Sequence, residues 1–287
     1  MKIYLLTLAI ATHMFAQTLS LQILGSGGPE LDGRTSASYI LWIDGKARAL
    51  IDTGSGSMLG FEKYGAKLED LELIAISHLH IDHVVDLPSY IKAGYFTRRS
   101  KMLPIVGTIG NKNFPSMSEF LELSFGENGT YRYMSDVLTP KSDSFEIRAV
   151  DVKVSRHLEF KHFHLDVIAV HHGGVPALAF KFSIGEKSVV ISGDTNNEIA
   201  CMNAFSKGTS LLVAHHAISQ DAGVYAKNLH MTPLNIGVIA STAKVKKLLL
   251  SHRMLRTIAK EKESLELIRQ NYKGEVVFAE DGMNLEF

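Results

Sequence analysis

The chain has 287 residues, enough for one large core or two small ones. Apolar residues make up 46% and charged residues 21% of it, which is ordinary for a soluble globular protein. Lys+Arg and Asp+Glu each number 30, so the basic excess of a dedicated nucleic-acid binder is absent, and a lone cysteine, Cys201, excludes an internal disulfide.

At the N-terminus, Lys2 and the short apolar run Ile3 to Ala11 read as a secretory signal, with Ala16 before Gln17 as the cut, although Met14 is atypical three residues before it. The alternative is a first strand of the fold. Leu19 to Leu24 already supplies an opening strand, so residues 17–287 are expected to form a single domain after a signal spanning 1–16. That places the protein in the periplasm or outside the cell, or in the cytoplasm if the N-terminus is retained. The run is too short to remain as a membrane span, and no other segment is long and apolar enough.

Gly25-Ser26-Gly27-Gly28-Pro29 lacks the Gly-Lys-Ser/Thr ending of a phosphate loop and reads as a tight turn. Ser38 to Asp44 and Ala47 to Ile51 are strands about an Asp44-Gly45 turn, and Met58 to Tyr64 is a short helix. Leu71 to Ser77 is a strand, and Val84, Leu87, Tyr90 and Ile91 have helical spacing, with Pro88 tolerated in the first turns. Leu103 to Val106 is a further strand. Residues 109–145 are the least legible, with a helix suggested by Phe114, Met117, Phe120, Leu121 and Phe125. Strands follow at Phe145 to Val154 and His164 to Val170, then a hairpin of Leu178 to Ile184 and Ser188 to Ser192, and a strand at Leu211 to Ala214. Met231 to Ala243 is a helix with Thr232 as N-cap and Pro233 in its first turn. Lys247 to Ser251 is a strand, Thr257 to Tyr272 a helix and Glu275 to Phe278 a last strand.

The most informative run is Ser77-His78-Leu79-His80-Ile81-Asp82-His83, where a strand ends. Imidazole and carboxylate are both good ligands for a borderline divalent metal. His78 and His80 are two apart and point the same way on extended backbone, while Asp82 and His83 follow where the chain turns. One metal, or two close together, is the economical reading.

The run resembles the His-x-His-x-Asp-His signature of the metallo-β-lactamase fold superfamily, and the resemblance covers roughly residue 18 to the end. It implies a four-layer αββα sandwich of α/β (α+β) class with two divalent metal ions, usually zinc, although manganese and iron suit the same donors. Within that superfamily the chain resembles the ribonuclease Z and arylsulfatase-like branch. By that resemblance His172 in Val170-His171-His172-Gly173-Gly174 is a ligand, although the extra glycine keeps His171 open. Asp194 in Gly193-Asp194-Thr195 bridges the two ions, and His252 after Leu250-Ser251 is the last ligand. One ion then takes His78, His80 and His172, the other Asp82, His83 and His252. Asp52 either orients a ligand histidine or is a simple turn residue. His230 in His230-Met231-Thr232 resembles the histidine of a His-Ser-Thr segment that assists the leaving group, so Asp82 and His230 are the catalytic candidates. The family's His-Glu-Ala-Thr segment reads His215-His216-Ala217-Ile218 here, with imidazole where the carboxylate would be.

Three ligands and a shared bridge leave an open position on each ion, as catalytic sites do. Water there is activated at neutral pH for attack on phosphorus, sulfur or a carbonyl carbon. The expectation is a metal-dependent hydrolase of phosphodiesters or related small anionic esters, with no separate organic cofactor and no dedicated nucleic-acid surface. The alternatives are β-lactam or lactone hydrolysis, transfer-RNA 3′ processing, and a non-catalytic metal-binding domain. The resemblance also allows a homodimer.

Overall fold

The computed structural model describes residues 17–139 and 145–287; the expected signal segment lies outside them. The first sheet is built from β1 (Leu19–Gly25), β2 (Ser38–Ile43), β3 (Lys46–Ile51), β4 (Leu73–Ala75), β5 (Leu103–Thr108) and β6 (Ile147–Val152). The second uses β7 (Ser155–Glu159), β8 (His164–His172), β9 (Val175–Ile184), β10 (Lys187–Ile191), β11 (Leu211–His215), β12 (Lys247–Ser251) and β13 (Glu275–Phe278). The chain then returns to the first sheet as β14 (Asn284–Glu286), giving two seven-stranded sheets in the orders β14-β1-β2-β3-β4-β5-β6 and β13-β12-β11-β10-β9-β8-β7.

Local chemistry accounts for the connections. Asp44 and Gly45 both have positive φ (51° and 70°), the two-residue turn that matches the twist of a hairpin, and β2 pairs with β3 across it. The core lies in three layers of side chains. Leu21, Ile23, Leu41, Phe180, Val213 and Leu249 fill the space between the β-sheets. Ile40, Leu50 and Ile74 face outward onto α1 (Ser57–Lys63), α3 (Leu87–Gly94) and α4 (Met117–Phe125) through Phe61, Tyr90 and Leu121. Val190, Leu212 and Leu250 do the same onto α7 (Pro233–Thr242) and α9 (Glu261–Arg269) through Ile236, Ile239 and Ile268. The result is the expected four-layer αββα sandwich. Strands apolar on both faces, such as β11 and β12, read as unbroken hydrophobic runs because each face has its own layer to meet.

Several expectations change in detail. The helical spacing after His83 is two elements, α2 (Ile81–Val84) and α3, and the long C-terminal helix is α8 (Leu255–Ile258) and α9, interrupted at Lys260, whose φ is −119°. The expected strand to Val154 instead ends at Val152, and residues 155–159 form β7, whose mostly exposed residues left no alternation to read. In the illegible segment α4 starts at a capping box, Ser116 accepting from Glu119 N while the Glu119 side chain accepts from Ser116 N. The short helices α5 (Cys201–Phe205) and α6 (Val224–Leu229) had no sequence signature.

The topology creates the site. Strands β3 to β6 run parallel to one another, as do β10 to β13, and β8 shares the direction of β10 through two antiparallel steps. The C-terminal ends of β4, β8, β10, β11 and β12 are each followed, within a few residues, or terminated, by a histidine or aspartate.

Candidate metal centre

The segment after β4 is fixed from behind by Asp52, a buried residue with φ of 54°. Its carboxylate accepts from Ser77 N (2.6 Å), Ser77 Oγ (2.8 Å) and His83 Nδ1 (2.8 Å). Asp52 is therefore the orienting residue, not a turn residue alone. With its proton held on Nδ1, His83 turns Nε2 toward the cluster. The His78 and His80 rings stand nearly perpendicular, centroids 4.6 Å apart, with His78 Nε2 3.0 Å from His80 Nδ1, and α2 carries Asp82 and His83 inward. Gly54 makes this approach feasible, because a Cβ there would lie 2.3 Å from the Asp82 carbonyl oxygen.

The second sheet supplies the rest. His172 donates from Nδ1 to the Leu229 carbonyl (2.8 Å), which leaves Nε2 facing Asp194. Gly193, at φ of 56°, turns the chain so that Asp194 points into the gap between the sheets. Asp194 Oδ2 lies 3.9 Å from His78 Nε2, 3.9 Å from His83 Nε2, 3.6 Å from His172 Nε2 and 3.7 Å from His252 Nε2. Asp82 Oδ2 is 3.2 Å from His252 Nε2 and 3.5 Å from His83 Nε2. Donor atoms sharing a tetrahedral cation with bonds near 2.0–2.1 Å stand roughly 3.4 Å apart. The donors at this centre fall into two separate groups, His78, His80, His172 and Asp194, and Asp82, His83 and His252, with Asp194, His215 and His252 forming a third that overlaps both. The buried Nε2 atoms of His83 and His172 have no hydrogen-bond partner among the described residues, which a cation would satisfy. The residues present therefore fit a pair of divalent ions.

The profile of the Metallo-beta-lactamase superfamily matches residues 31–229. The chain belongs to that superfamily. It is similar to Ribonuclease Z of Haloferax volcanii, 26% identical over an alignment of 308 positions that covers 92% of this chain and 93% of the relative. It is similar too to Ribonuclease Z of Mycobacterium sp. (strain KMS), 26% identical with 71% of this chain and 70% of the relative covered. Among solved structures, the metallo-beta-lactamase fold protein YhfI of Bacillus subtilis superposes with a TM-score of 0.76 at 20% identity, covering 95% of this chain and all (100%) of that one. Human tRNase Z, short form, gives 0.69 at 19% identity, covering 93% and 98%. These structural likenesses establish the fold.

Within this metallo-beta-lactamase superfamily site the donors shift one another's protonation. Burial alone would raise the Asp194 carboxyl, but the charge of His252, the hydrogen bond from His215 and the charge of His83 outweigh it and hold it well below the usual carboxylate range. Burial likewise opposes charge on His83, yet Asp52 and Asp82 push it up to about 10 when no cation is present. His78 is driven well below an ordinary histidine, first by burial and then by His83. His230 is pushed down to about 3 by burial, with the charges of His252, His172 and Arg256 adding to the effect against Asp194. It is thus a neutral imidazole, not the imidazolium that a general acid would need, and its Nδ1 sits 3.7 Å from Asp194 Oδ2.

All the donors expected from the sequence, His78, His80, Asp82, His83, His172, Asp194 and His252, converge with His230 beside them. His171 does not: its side chain is 35% exposed and faces Glu198. The sequence motifs missed His215. It ends β11, its Nδ1 lies 2.7 Å from Asp194 Oδ1, and its Nε2 meets the Tyr39 hydroxyl (3.1 Å). Its position directly after the apolar strand Leu211 to Ala214 is the signal that could have found it. His216 points the other way, with Nε2 on Ser264 Oγ (2.9 Å), and burial pushes it down to about 4. At the mouth the ring of Phe114 meets His80 edge-on at 5.9 Å, which brings the illegible segment into the site.

Proposed function

We propose that this metal-dependent hydrolase is a phosphodiesterase acting on RNA, with zinc as the resident ion in both positions. The observation that carries the reading is the placement of Asp194 Oδ2 within 3.6–3.9 Å of four imidazole Nε2 atoms drawn from both sheets. The choice of phosphodiester over lactam rests on relatives named Ribonuclease Z that align with nine-tenths of the chain. This favours transfer-RNA processing over hydrolysis of a small anionic ester.

His78, His80 and His172 would hold one ion and Asp82, His83 and His252 the other, with Asp194 shared. Such ions supply an activated water and neutralise charge on a phosphate. The chain does the remaining work. Asp52 and the Leu229 carbonyl fix the protons of His83 and His172 on Nδ1, so both present a lone pair inward. Asp82, held well below the usual range by His83 and His252 against the effect of burial, stays an acceptor that orients the attacking water. His230, neutral and buried, donates a hydrogen bond to the oxygen that gains charge as the phosphorus–oxygen bond breaks. It does so without a carboxylate at position 216. Arg256, anchored by Nε to the Ala217 carbonyl (2.6 Å), puts a cation on the His230 side, suited to a flanking phosphate.

The test is turnover of the zinc-loaded protein on a 3′-extended transfer-RNA precursor, bis(p-nitrophenyl) phosphate, p-nitrophenyl sulfate, a chromogenic lactam and a lactone. Chelator-sensitive cleavage of the precursor supports the reading. Hydrolysis of the small diester or sulfate alone returns the function to anionic esters, and lactam or lactone opening alone overturns it. Intact mass of the natural protein tells whether residues 1–16 are removed; removal would place the enzyme outside the compartment of transfer-RNA maturation.

A further inference from the structure

A second cluster of metal-type donors lies on the hairpin of β7 and β8, at the far end of β8 from the centre described above. His164 and His172 stand eight positions apart at the two ends of β8, roughly 26 Å of strand, so the two sites are distinct. The pairing sets His157 opposite Asp166, Leu158 opposite Leu165 and Glu159 opposite His164. Leu165 is fully buried and Leu158 packs on the inter-sheet core, so alternation puts His157, Glu159, His164 and Asp166 together on the outer face.

Their contacts have the order of a metal site. The ligand atoms of His157, Glu159 and His164 lie within 4.8 Å of one another. His157 Nε2 is 2.6 Å from Glu159 Oε1, and His164 Nδ1 contacts Glu159 Oε2. The two imidazole rings stack with centroids 6.0 Å apart. Behind them, His157 Nδ1 lies 2.6 Å from Asp166 Oδ1. With both ring nitrogens on carboxylates, His157 carries two protons here; an ion that displaces the one on Nε2 would leave Asp166 holding the other on Nδ1, which is how metal-bound histidines are commonly held. Around zinc the donors would stand about 3.4 Å apart, so small side-chain rotations of the exposed ligands suffice and the paired backbone need not move.

We infer that His157, Glu159 and His164 form an accessory site for a borderline divalent cation such as Zn2+, oriented by Asp166 and completed by water. Nitrogen and carboxylate donors select zinc, nickel or copper over magnesium or calcium. The site joins the edge strand β7 to β8 and is independent of the hydrolytic centre.

The experiment is equilibrium dialysis of untagged, metal-stripped full-length protein against buffered Zn2+, with bound zinc counted by mass spectrometry. The wild type should hold one more equivalent than the His157→Ala/His164→Ala variant, whatever the occupancy of the main centre. Asp166→Asn should keep that equivalent but weaken it 10- to 100-fold. The double variant should retain wild-type hydrolysis, and the His157 and His164 ring signals should shift with zinc in NMR spectra of the wild type. Equal zinc counts in wild type and double variant, or ring signals unmoved at saturation, would overturn the site. Neither result depends on which substrate the main centre takes.

Discussion

Replacing Gly54 by alanine is the sharpest test of how the fold holds the donor run. The added Cβ would sit 2.3 Å from the Asp82 carbonyl oxygen, 2.7 Å from Ser36 Cβ and 2.8 Å from the Ser36 carbonyl carbon. None of these is the free end of a flexible side chain, so backbone must move. Reaching an ordinary contact of roughly 3.4 Å requires α2 and the Gly54 loop to part by about 1 Å. The two are tied by Thr53 N to the His83 carbonyl (2.8 Å) and Asp86 N to the Thr53 carbonyl (2.9 Å), so the displacement is passed to Asp82 and His83. Overpacking of this kind costs about 1–3 kcal/mol, which in a chain of this size lowers Tm by roughly 2–12 °C. A misplacement near 1 Å at reacting groups costs on the order of 10²-fold in rate. Gly54→Ala should therefore fold, melt earlier and lose about two orders of magnitude in kcat at saturating zinc. Thermal melting and turnover of the purified variant measure both. Unchanged Tm together with unchanged turnover would refute the argument that the donor run is held by this close approach.

His230→Ala should keep its zinc and lose about 10²–10³ in kcat, the scale for removing one donor to a developing oxyanion; metal analysis beside turnover separates this from loss of a ligand. His172→Ala should lose one zinc equivalent, whereas His171→Ala should keep full occupancy because its ring faces Glu198 on the surface; dialysis against buffered zinc decides between them. In the metal-free protein His83 is protonated up to about pH 10, held there against burial by Asp52 and Asp82, so the ion it binds must displace that proton. Apparent zinc affinity should then rise with pH across the neutral range, with proton release in weakly buffered solution; a pH-independent affinity would contradict the charged His83.

Much of the centre was legible because its largest part is local. His78 to His83 lie in one run at a strand end, and period-two alternation alone says that two of the imidazoles share a direction. The strands before Asp194, His215 and His252 were readable as apolar runs because both of their faces meet a packed layer, whereas β8, which ends at His172, showed itself by alternation. Turn and cap chemistry placed the β2–β3 hairpin and the start of α7, where Thr232 Oγ1 accepts from Asn235 N.

Tertiary structure decided what pairs of adjacent residues cannot. His171 and His172 have the same chemistry, and only the register of β8 on β9, His172 opposite Val175 and His171 opposite Pro176, turns one to the gap and the other to the surface. The same parity sends His215 to Asp194 and His216 to Ser264. Phe114 reaches His80 only through the packing of an irregular segment, and β7 becomes a strand because β8 offers it an edge. The sequence by itself determined which chemistry is present, because donor types and strand ends are local properties. Which donors meet was decided by the parallel alignment of strand ends in two facing sheets, a non-local arrangement that no short stretch of chain encodes.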